Sequence, residues 1–163
     1  NPSGKLPYTY PKYDGVIMHY DHKQSELING NTWSNDFFDP QFEFGFGLSY
    51  TNFAYSNLEI SSSKISNNEI LKINVDIKNT GDVKGKEVVQ LYIRDHYATI
   101  SPSLRKLKRY TKIELEPNQK ETIEFVISKS DLKFYGINNE WIVEDGKFSI
   151  MVHDLEAEFN FKN

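Results

Sequence analysis

The sequence predicts an all-β protein: an immunoglobulin-like β-sandwich of about seven antiparallel strands, preceded by an irregular, aromatic-rich segment over residues 1–51. From residue 53 onward, short stretches of alternating apolar and polar residues recur with turn-forming residues between them, as in such sandwiches. Aromatic residues, which favour strands, make up 14% of the chain. No amphipathic stretch of ten or more residues could supply the crossover helix of a parallel sheet, so an α/β fold is disfavoured.

The first two strands are predicted from the phase of their apolar residues. Over 53–60 the apolar positions change phase between Tyr55 and Leu58, which predicts a bulged strand. The clearest alternation runs from Leu71 to Ile77, with a polar residue at every second position. This period of two indicates a strand with one buried face, and the turn-forming residues 79–82 end it.

The remaining strands of the sandwich are predicted from the same alternation. Val89, Leu91 and Ile93 continue the alternation, while Val88 and Tyr92 fall on the other face, which predicts a strand covered on both sides. Further strands are predicted at Leu104–Glu116, Ile123–Ile127, Trp141–Val143, Phe148–Val152 and Ala157–Phe161, with a short serine-capped helical turn at Ser130–Leu132. Residues 52–163 are therefore predicted to form a sandwich able to fold independently.

The segment 1–51 differs from the rest of the chain in its residue pattern. Proline and glycine interrupt it repeatedly, so no period is sustained, yet it is rich in Tyr, Phe and Trp. Such a composition is unlike a disordered tail and predicts irregular chain packed over something larger.

Composition narrows the function classes. The net charge of -4 argues against a nucleic-acid-binding domain, and no apolar run is long enough to cross a bilayer. The absence of cysteine excludes disulfides and thiolate metal sites. Residues 1–4 do not begin a charged and then apolar leader, so we expect the chain to start within a longer protein.

Two groups of residues could carry chemistry. His19, Asp21 and His22 form a dense set of possible metal ligands, but no further ligand stands at an obvious spacing, so a surface turn or interdomain contact is favoured. Asp36 and Asp39 could form a carboxylate pair of the kind that glycosidases use, although acidic residues near aromatic rings are common in loops.

Two further stretches admit both a binding and a structural interpretation. The basic residues within 104–112 could bind an anion, but a solvated strand edge is favoured in a chain of negative net charge. Tyr8, Tyr10, Tyr13 and Trp33 could stack on sugar rings, although burial against a neighbouring domain is favoured.

Residues 40–53, PQFEFGFGLSYTNF, resemble the motif that opens the fibronectin type III-like domain of glycoside hydrolase family three enzymes, notably β-glucosidases. The resemblance continues along the chain in order: residues 1–7 resemble the end of the family's α/β-sandwich domain, and 78–92, 104–110, 131–135 and 141–148 resemble later landmarks of the fibronectin type III-like domain. Arg109 departs from the family, which often has glycine at this position.

The resemblance implies an accessory, domain-bracing part of a retaining glycosidase that acts on terminal β-linked glucose or related sugars. The family's nucleophile lies in an N-terminal barrel and its acid/base mostly in the second domain, so no catalytic residue, cofactor or metal is expected in this chain. The implied partners are those two domains of the same longer chain and its oligosaccharide substrate, with no nucleic acid or membrane. A periplasmic or extracellular location is implied as well. The motif residues expected to anchor the domain interface are Phe44, Gly45, Phe46, Gly47 and Tyr50.

Two alternatives remain open at this point. The lead-segment aromatics could make the chain a carbohydrate-binding module, or the sandwich could be an immunoglobulin-like interaction domain. The isolated chain could also self-associate through its lead segment, and the loop Lys23–Asn35 could reach the rim of a substrate cleft.

Overall fold

The computed structural model describes residues 1–15, 19–21 and 40–163, and these form two β-sheets that share one core. The elements are β1 (Phe53–Ile60), β2 (Lys64–Ser66), β3 (Ile70–Asn79), β4 (Gly85–Asp95), β5 (Lys106–Leu115), β6 (Lys120–Ser128), α1 (Lys129–Leu132), β7 (Phe134–Tyr135), β8 (Trp141–Ile142), β9 (Gly146–Val152) and β10 (Leu155–Lys162). No helix in these described ranges is long and apolar enough to cross a membrane.

One sheet has three strands in the order β1-β3-β6, and the other has five in the order β2-β10-β9-β4-β5. β7 and β8 form a separate two-stranded hairpin. Seven of the strands in the described ranges are at least seven residues long, and these pair antiparallel with one another. The predicted all-β sandwich of about seven antiparallel strands is therefore confirmed.

The core lies between the two sheets and is built by the predicted alternation. From Leu71 to Ile77, every second side chain of β3 is completely buried. The five-stranded sheet contributes Phe148 and Phe159, whose stacked ring centroids lie 5.6 Å apart. Burying a side chain of this size contributes about 1.5–3 kcal/mol, so the sandwich has ample driving force of its own.

The bulge predicted in β1 is present. The register between β1 and β3 shifts between Ser56 and Glu59. Asn57 takes a φ of 53° there, and its side-chain amide donates a 2.8 Å hydrogen bond to Asp76. The extra residue explains why Tyr55 and Leu58 differ in phase yet both pack against the core.

Three details differ from the sequence prediction. The helical turn is capped by Ser128, whose backbone N–H donates to the Asp131 carboxylate at 2.9 Å, and so begins before Ser130. β2, which has no alternation long enough to recognise, pairs parallel to β10. The strand predicted from Trp141 is only two residues long, because it pairs with β7 in a hairpin outside the two main sheets.

Candidate functional site

In the lead segment, residues 1–51, the described stretches 1–15 and 40–51 lie side by side on the sandwich. Bridges join Lys5 to Gly47 and Tyr10 to Phe42, so two extended stretches run antiparallel. The Leu6 N–H donates to the Phe46 carbonyl at 2.8 Å, and the Tyr10 N–H donates to the Phe42 carbonyl at 2.8 Å. These bonds satisfy backbone groups that irregular chain would otherwise leave to water.

Two glycines make this close approach possible. Gly45 has a φ of +83°, and a Cβ there would lie 2.7 Å from the side-chain oxygen of Gln90. At Gly47 a Cβ would lie 2.6 Å from the backbone carbonyl oxygen of Gly4. Because that oxygen belongs to the backbone, no rotamer change could relieve the contact, so glycine is required at position 47.

One aromatic ring of the motif points inward, onto the outer face of β4. The Phe44 ring stacks on Tyr20 with a centroid distance of 4.1 Å and meets Tyr92 edge-on at 6.4 Å. The Arg105 guanidinium lies 5.4 Å from the centre of the Tyr92 ring, and the Tyr20 hydroxyl accepts a hydrogen bond from the Leu107 N–H at 3.2 Å. Burial raises the pKa of Tyr92 to about 12. The second covered face predicted for this strand is therefore formed by the lead segment itself.

A polar cluster clamps the start of the lead segment to the sandwich. The Lys5 ammonium lies 2.5 Å from the Glu87 carboxylate, and both side chains are largely shielded from water. The Tyr55 hydroxyl donates to the same carboxylate oxygen at 2.7 Å. Burial and the Glu87 charge raise the pKa of Tyr55, so the phenol stays protonated and can hold this bond. Asn1 adds a hydrogen bond to the Lys84 carbonyl at 2.9 Å.

Other rings of the lead segment are partly exposed and form a continuous row. Tyr8, Tyr10, Phe42 and Phe46 follow one another with centroid distances of 6.2, 6.0 and 4.6 Å. Each of them is between about a third and a half exposed, and Tyr50 beyond them is 77% exposed. We call this row of four rings the outer aromatic row. Contiguous exposed apolar surface of this kind marks interaction sites.

The five expected anchors therefore divide into two groups. Phe44 and Gly45 lie against the sandwich and Gly47 lets the lead segment pair with itself, whereas Phe46 and Tyr50 are 39% and 77% exposed. Their shared role as anchors of a domain interface stays a prediction. Sequence reasoning missed Tyr20 and Arg105, which complete the inner contact, because their partners are more than ten residues away along the chain.

Several other candidates lie outside the described residues: His22, Trp33, Asp36, Asp39 and the loop Lys23–Asn35. The basic stretch within 104–112 begins just before β5 and continues along it, and β5 is the edge strand of the larger sheet. Its two arginines have partners, Arg109 the Asp131 carboxylate at 2.7 Å and Arg105 the Glu43 carboxylate at 3.5 Å. This arrangement fits a solvated strand edge better than an anion site.

One group of possible metal ligands occurs among the described residues, and the sequence did not indicate it. His96, Glu156 and Glu158 come together on the outer face of the larger sheet, with one ligand atom of each within 4.8 Å of the others. The Lys147 ammonium lies 2.6 Å from the Glu158 carboxylate. A ring nitrogen of His96 forms a 2.8 Å hydrogen bond with the Ser149 hydroxyl. These partners engage Glu158 and His96, while Glu156 is exposed.

A cavity of about 530 Å³ lies between the lead segment and the sheet. Among its described lining residues, Glu43 is the sole carboxylate, beside Lys5, Arg105 and His153. Glycoside hydrolysis by two carboxylates requires a facing pair, which the described lining does not provide.

Comparison with known proteins places these features in context. A family model described as a fibronectin type III-like domain matches residues 87–155. A putative beta-xylosidase of Formosa agariphila is 39% identical over 160 residues, which cover 98% of this chain and 21% of that protein. A periplasmic beta-glucosidase of Salmonella typhimurium is 34% identical over 161 residues, which cover 93% of this chain and 21% of that protein.

Solved structures of related proteins contain a region with the same fold as this chain. A β-glucosidase from Erythrobacter marinus superposes with a TM-score of 0.89 at 30% identity, covering 98% of this chain and 22% of that one. The chain thus spans about a fifth of the length of the relatives it matches.

Proposed function

Since this chain belongs to the fibronectin type III-like region of the β-glucosidases and β-xylosidases of glycoside hydrolase family three, we propose that it braces the catalytic domains of such an enzyme. The parent is a retaining glycosidase that releases terminal β-linked glucose or a related sugar. Its nucleophile and acid/base lie in an N-terminal barrel and an α/β-sandwich domain of the same longer chain. Residues 1–51 are the tail of that preceding domain and its linker, and residues 52–163 are the accessory sandwich.

The outer aromatic row is the observation that carries this proposal. The lead segment is fastened to the sandwich by Phe44 and by the Lys5–Glu87 ion pair, while the four rings of the outer aromatic row stay between about a third and a half exposed. A segment held this firmly with its rings exposed is a preformed interface rather than loose chain. Large aromatic side chains dominate the energetics of such interfaces.

The proposal is tested by expressing the chain and the remainder of its parent as separate proteins. We expect the chain to associate with the remainder and to raise its melting temperature. The double substitution Tyr10→Ala and Phe46→Ala should weaken this association at least tenfold, because truncating two interface rings removes about 2 kcal/mol or more. Isothermal titration calorimetry measures the loss.

Tyr97→Ala is the matched control, because Tyr97 is an exposed ring in the connection between β4 and β5 and does not belong to the outer aromatic row. Association unchanged in the double variant would overturn the bracing role. Turnover of a chromogenic β-glucoside by the chain alone would overturn the assignment of catalysis to other domains.

A second function, sugar binding by the lead segment, is favoured by Tyr8, Tyr10 and Tyr13, each about half exposed. Titration of the chain with xylan or cellulose oligosaccharides distinguishes the two. Saturable binding that is lost in Tyr8→Ala supports the sugar-binding module, whereas a bracing surface predicts no loss.

We also propose that the parent enzyme works in the periplasm or outside the cell. The support is the family resemblance and the relative named as a periplasmic beta-glucosidase. Fractionation of cells that express the complete natural gene, followed by immunoblotting, tests this location.

A further inference from the structure

The hairpin of β7 and β8 carries a second exposed aromatic surface, separate from the lead segment. Tyr135 and Trp141 are direct cross-strand partners. Their ring centroids lie 5.5 Å apart at an interplanar angle of 74°, and 49% and 66% of their surfaces are exposed. Their strand neighbours, Phe134 and Ile142, are partly buried on the opposite face.

The local backbone holds this pair in place. Gly136 is buried, and a Cβ there would lie 2.6 Å from the Ile142 side chain. The Gly136 N–H donates to the Glu140 carbonyl at 2.9 Å, and Asn139 takes a φ of 59° to close the turn. The rings are therefore presented by a tight hairpin rather than by a loose loop, so little ordering entropy is lost when a ligand binds.

Neither ring uses its polar atom within the described part of the molecule. The Trp141 indole N–H and the Tyr135 hydroxyl have no hydrogen bond to any described residue. Each ring thus offers an apolar face and a free hydrogen-bonding group at its edge. This combination suits a ligand that is itself apolar on one side and polar along its rim.

A cavity of about 190 Å³ adjoins the pair, and Tyr135 forms part of its wall. Ile100 and Pro102 contribute apolar surface, while Asp95 and Lys106 contribute opposite charges. Burial raises the pKa of Asp95 to about 6, so near this pH its carboxyl group can both donate and accept hydrogen bonds.

A second carboxylate of the cavity wall is already engaged. Asp131 is paired with Arg109 and accepts the Ser128 N–H at 2.9 Å. It is therefore a support of the wall and is not free for a ligand.

The exposed area of the Tyr135 and Trp141 rings distinguishes a protein partner from a glycan ligand. Aromatic side chains of this type bury 150–250 Å² each, so the exposed parts of the two rings amount to about 250 Å². A stable protein interface needs about 800 Å² per partner. A ring pair of this area matches a few units of a carbohydrate chain, which presents C–H faces to aromatic rings and hydroxyl groups to their polar neighbours.

We propose that Trp141 and Tyr135, with the cavity behind Tyr135, form a binding platform for a neutral β-linked glycan chain. This inference deepens the proposed function, because it gives the accessory domain a role in holding polymeric substrate near the catalytic domains. It does not require the lead segment, which faces a different partner.

Affinity electrophoresis of the complete 163-residue chain through gels containing xylan or a soluble β-glucan tests the platform. We expect retardation in at least one of the two gels. Trp141→Ala should abolish it, Tyr135→Ala should weaken binding at least fivefold, and Trp141→Phe should restore part of it. Because both side chains are exposed, these variants are expected to remain folded, which circular dichroism checks.

Tyr110→Ala is the matched control, since Tyr110 is also an exposed ring but lies on β5, outside the hairpin. The indole N–H signal of Trp141 should shift on titration with xylohexaose or cellohexaose and be absent in Trp141→Phe. Absence of retardation in both gels, or retardation unaffected by Trp141→Ala, overturns the platform. Loss in Tyr10→Ala instead would overturn it by placing the sugar site on the lead segment.

The bracing role of the lead segment and the glycan platform of the hairpin can be disproved independently of each other. Association with the remainder of the parent should be unchanged in Trp141→Ala if the hairpin is a glycan platform. A loss of association in that variant without any glycan binding would show that the hairpin contacts protein, and would overturn this inference alone.

Discussion

At the scale of single residues, Asp76 illustrates how a polar group is kept within a sheet. It is buried on β3 and accepts hydrogen bonds from the Lys120 ammonium at 2.6 Å, the Thr122 hydroxyl at 2.5 Å and the Asn57 amide at 2.8 Å. These bonds, that from Lys120 foremost, lower the pKa of Asp76 to about 2. Its carboxylate therefore ties the β1 bulge to β6.

Asp76→Asn is expected to lower the free energy of unfolding by about 1–3 kcal/mol at pH 7, toward the lower end because Lys120 is half exposed. The folded pKa lies below the unfolded value, so the stabilisation is present above pH 4 and is lost as the pH falls from about 4 through about 2. Urea unfolding between pH 2 and pH 7 measures both effects.

Glu124→Gln serves as the control for this prediction. Its ion pair with Lys72, at 3.4 Å, has both side chains about half exposed, so the change should cost no more than about 0.5 kcal/mol. An acid-unfolding profile of Asp76→Asn identical to that of the wild type would contradict the assigned role.

At the scale of elements, the lead segment depends on two glycines rather than on regular secondary structure. The stretch 42–47 reaches the stretch 5–10 through backbone hydrogen bonds, and the approach at Gly47 leaves no room for a side chain. The element is therefore held by steric fit and by a few contacts to the sandwich.

Gly47→Ala should release this element without unfolding the sandwich. The added Cβ would collide with the Gly4 carbonyl, so the bridge between Lys5 and Gly47 must open. Limited proteolysis should show cleavage within 1–51 several times faster than in the wild type, while a fragment of the sandwich persists.

Gly4→Ala is a close control, because a Cβ at Gly4 would meet no atom within 4 Å. Equal cleavage rates in Gly47→Ala and the wild type would mean that the lead segment tolerates the larger residue, contrary to the packing described.

At the scale of the whole molecule, the sandwich and the lead segment contribute unequally to stability. Every residue of the buried core cluster lies between Ile65 and Phe161. The lead segment instead covers Tyr92 on the outer face of the larger sheet. Its removal would expose that face without opening the core.

A protein consisting of residues 52–163 is therefore expected to fold, with a lower melting temperature than the complete chain. The newly exposed ring of Tyr92 should increase binding of a hydrophobic dye. A peptide of residues 1–51 should lack stable structure. Circular dichroism and thermal melts of the two pieces check this, and an unfolded 52–163 protein would contradict the division.

Prediction from sequence succeeded where a local pattern carried the information. The alternation from Leu71 to Ile77, the phase change after Tyr55 and the two-sided environment of Tyr92 all appear in the structure. The parallel pairing of β2 and the cluster around His96 were not predicted, because each joins residues about sixty or more positions apart.

The amino-acid sequence alone determined that this chain forms a sandwich, because a strand's side chains alternate between faces whatever the strand pairs with. The order of motifs likewise determined its family. Only the tertiary structure decided which rings pack inside the molecule, such as Phe44, and which remain exposed, such as Phe46, Tyr50 and Trp141. The reason is that exposure depends on the path of distant segments, and one residue's position in a motif does not encode that path.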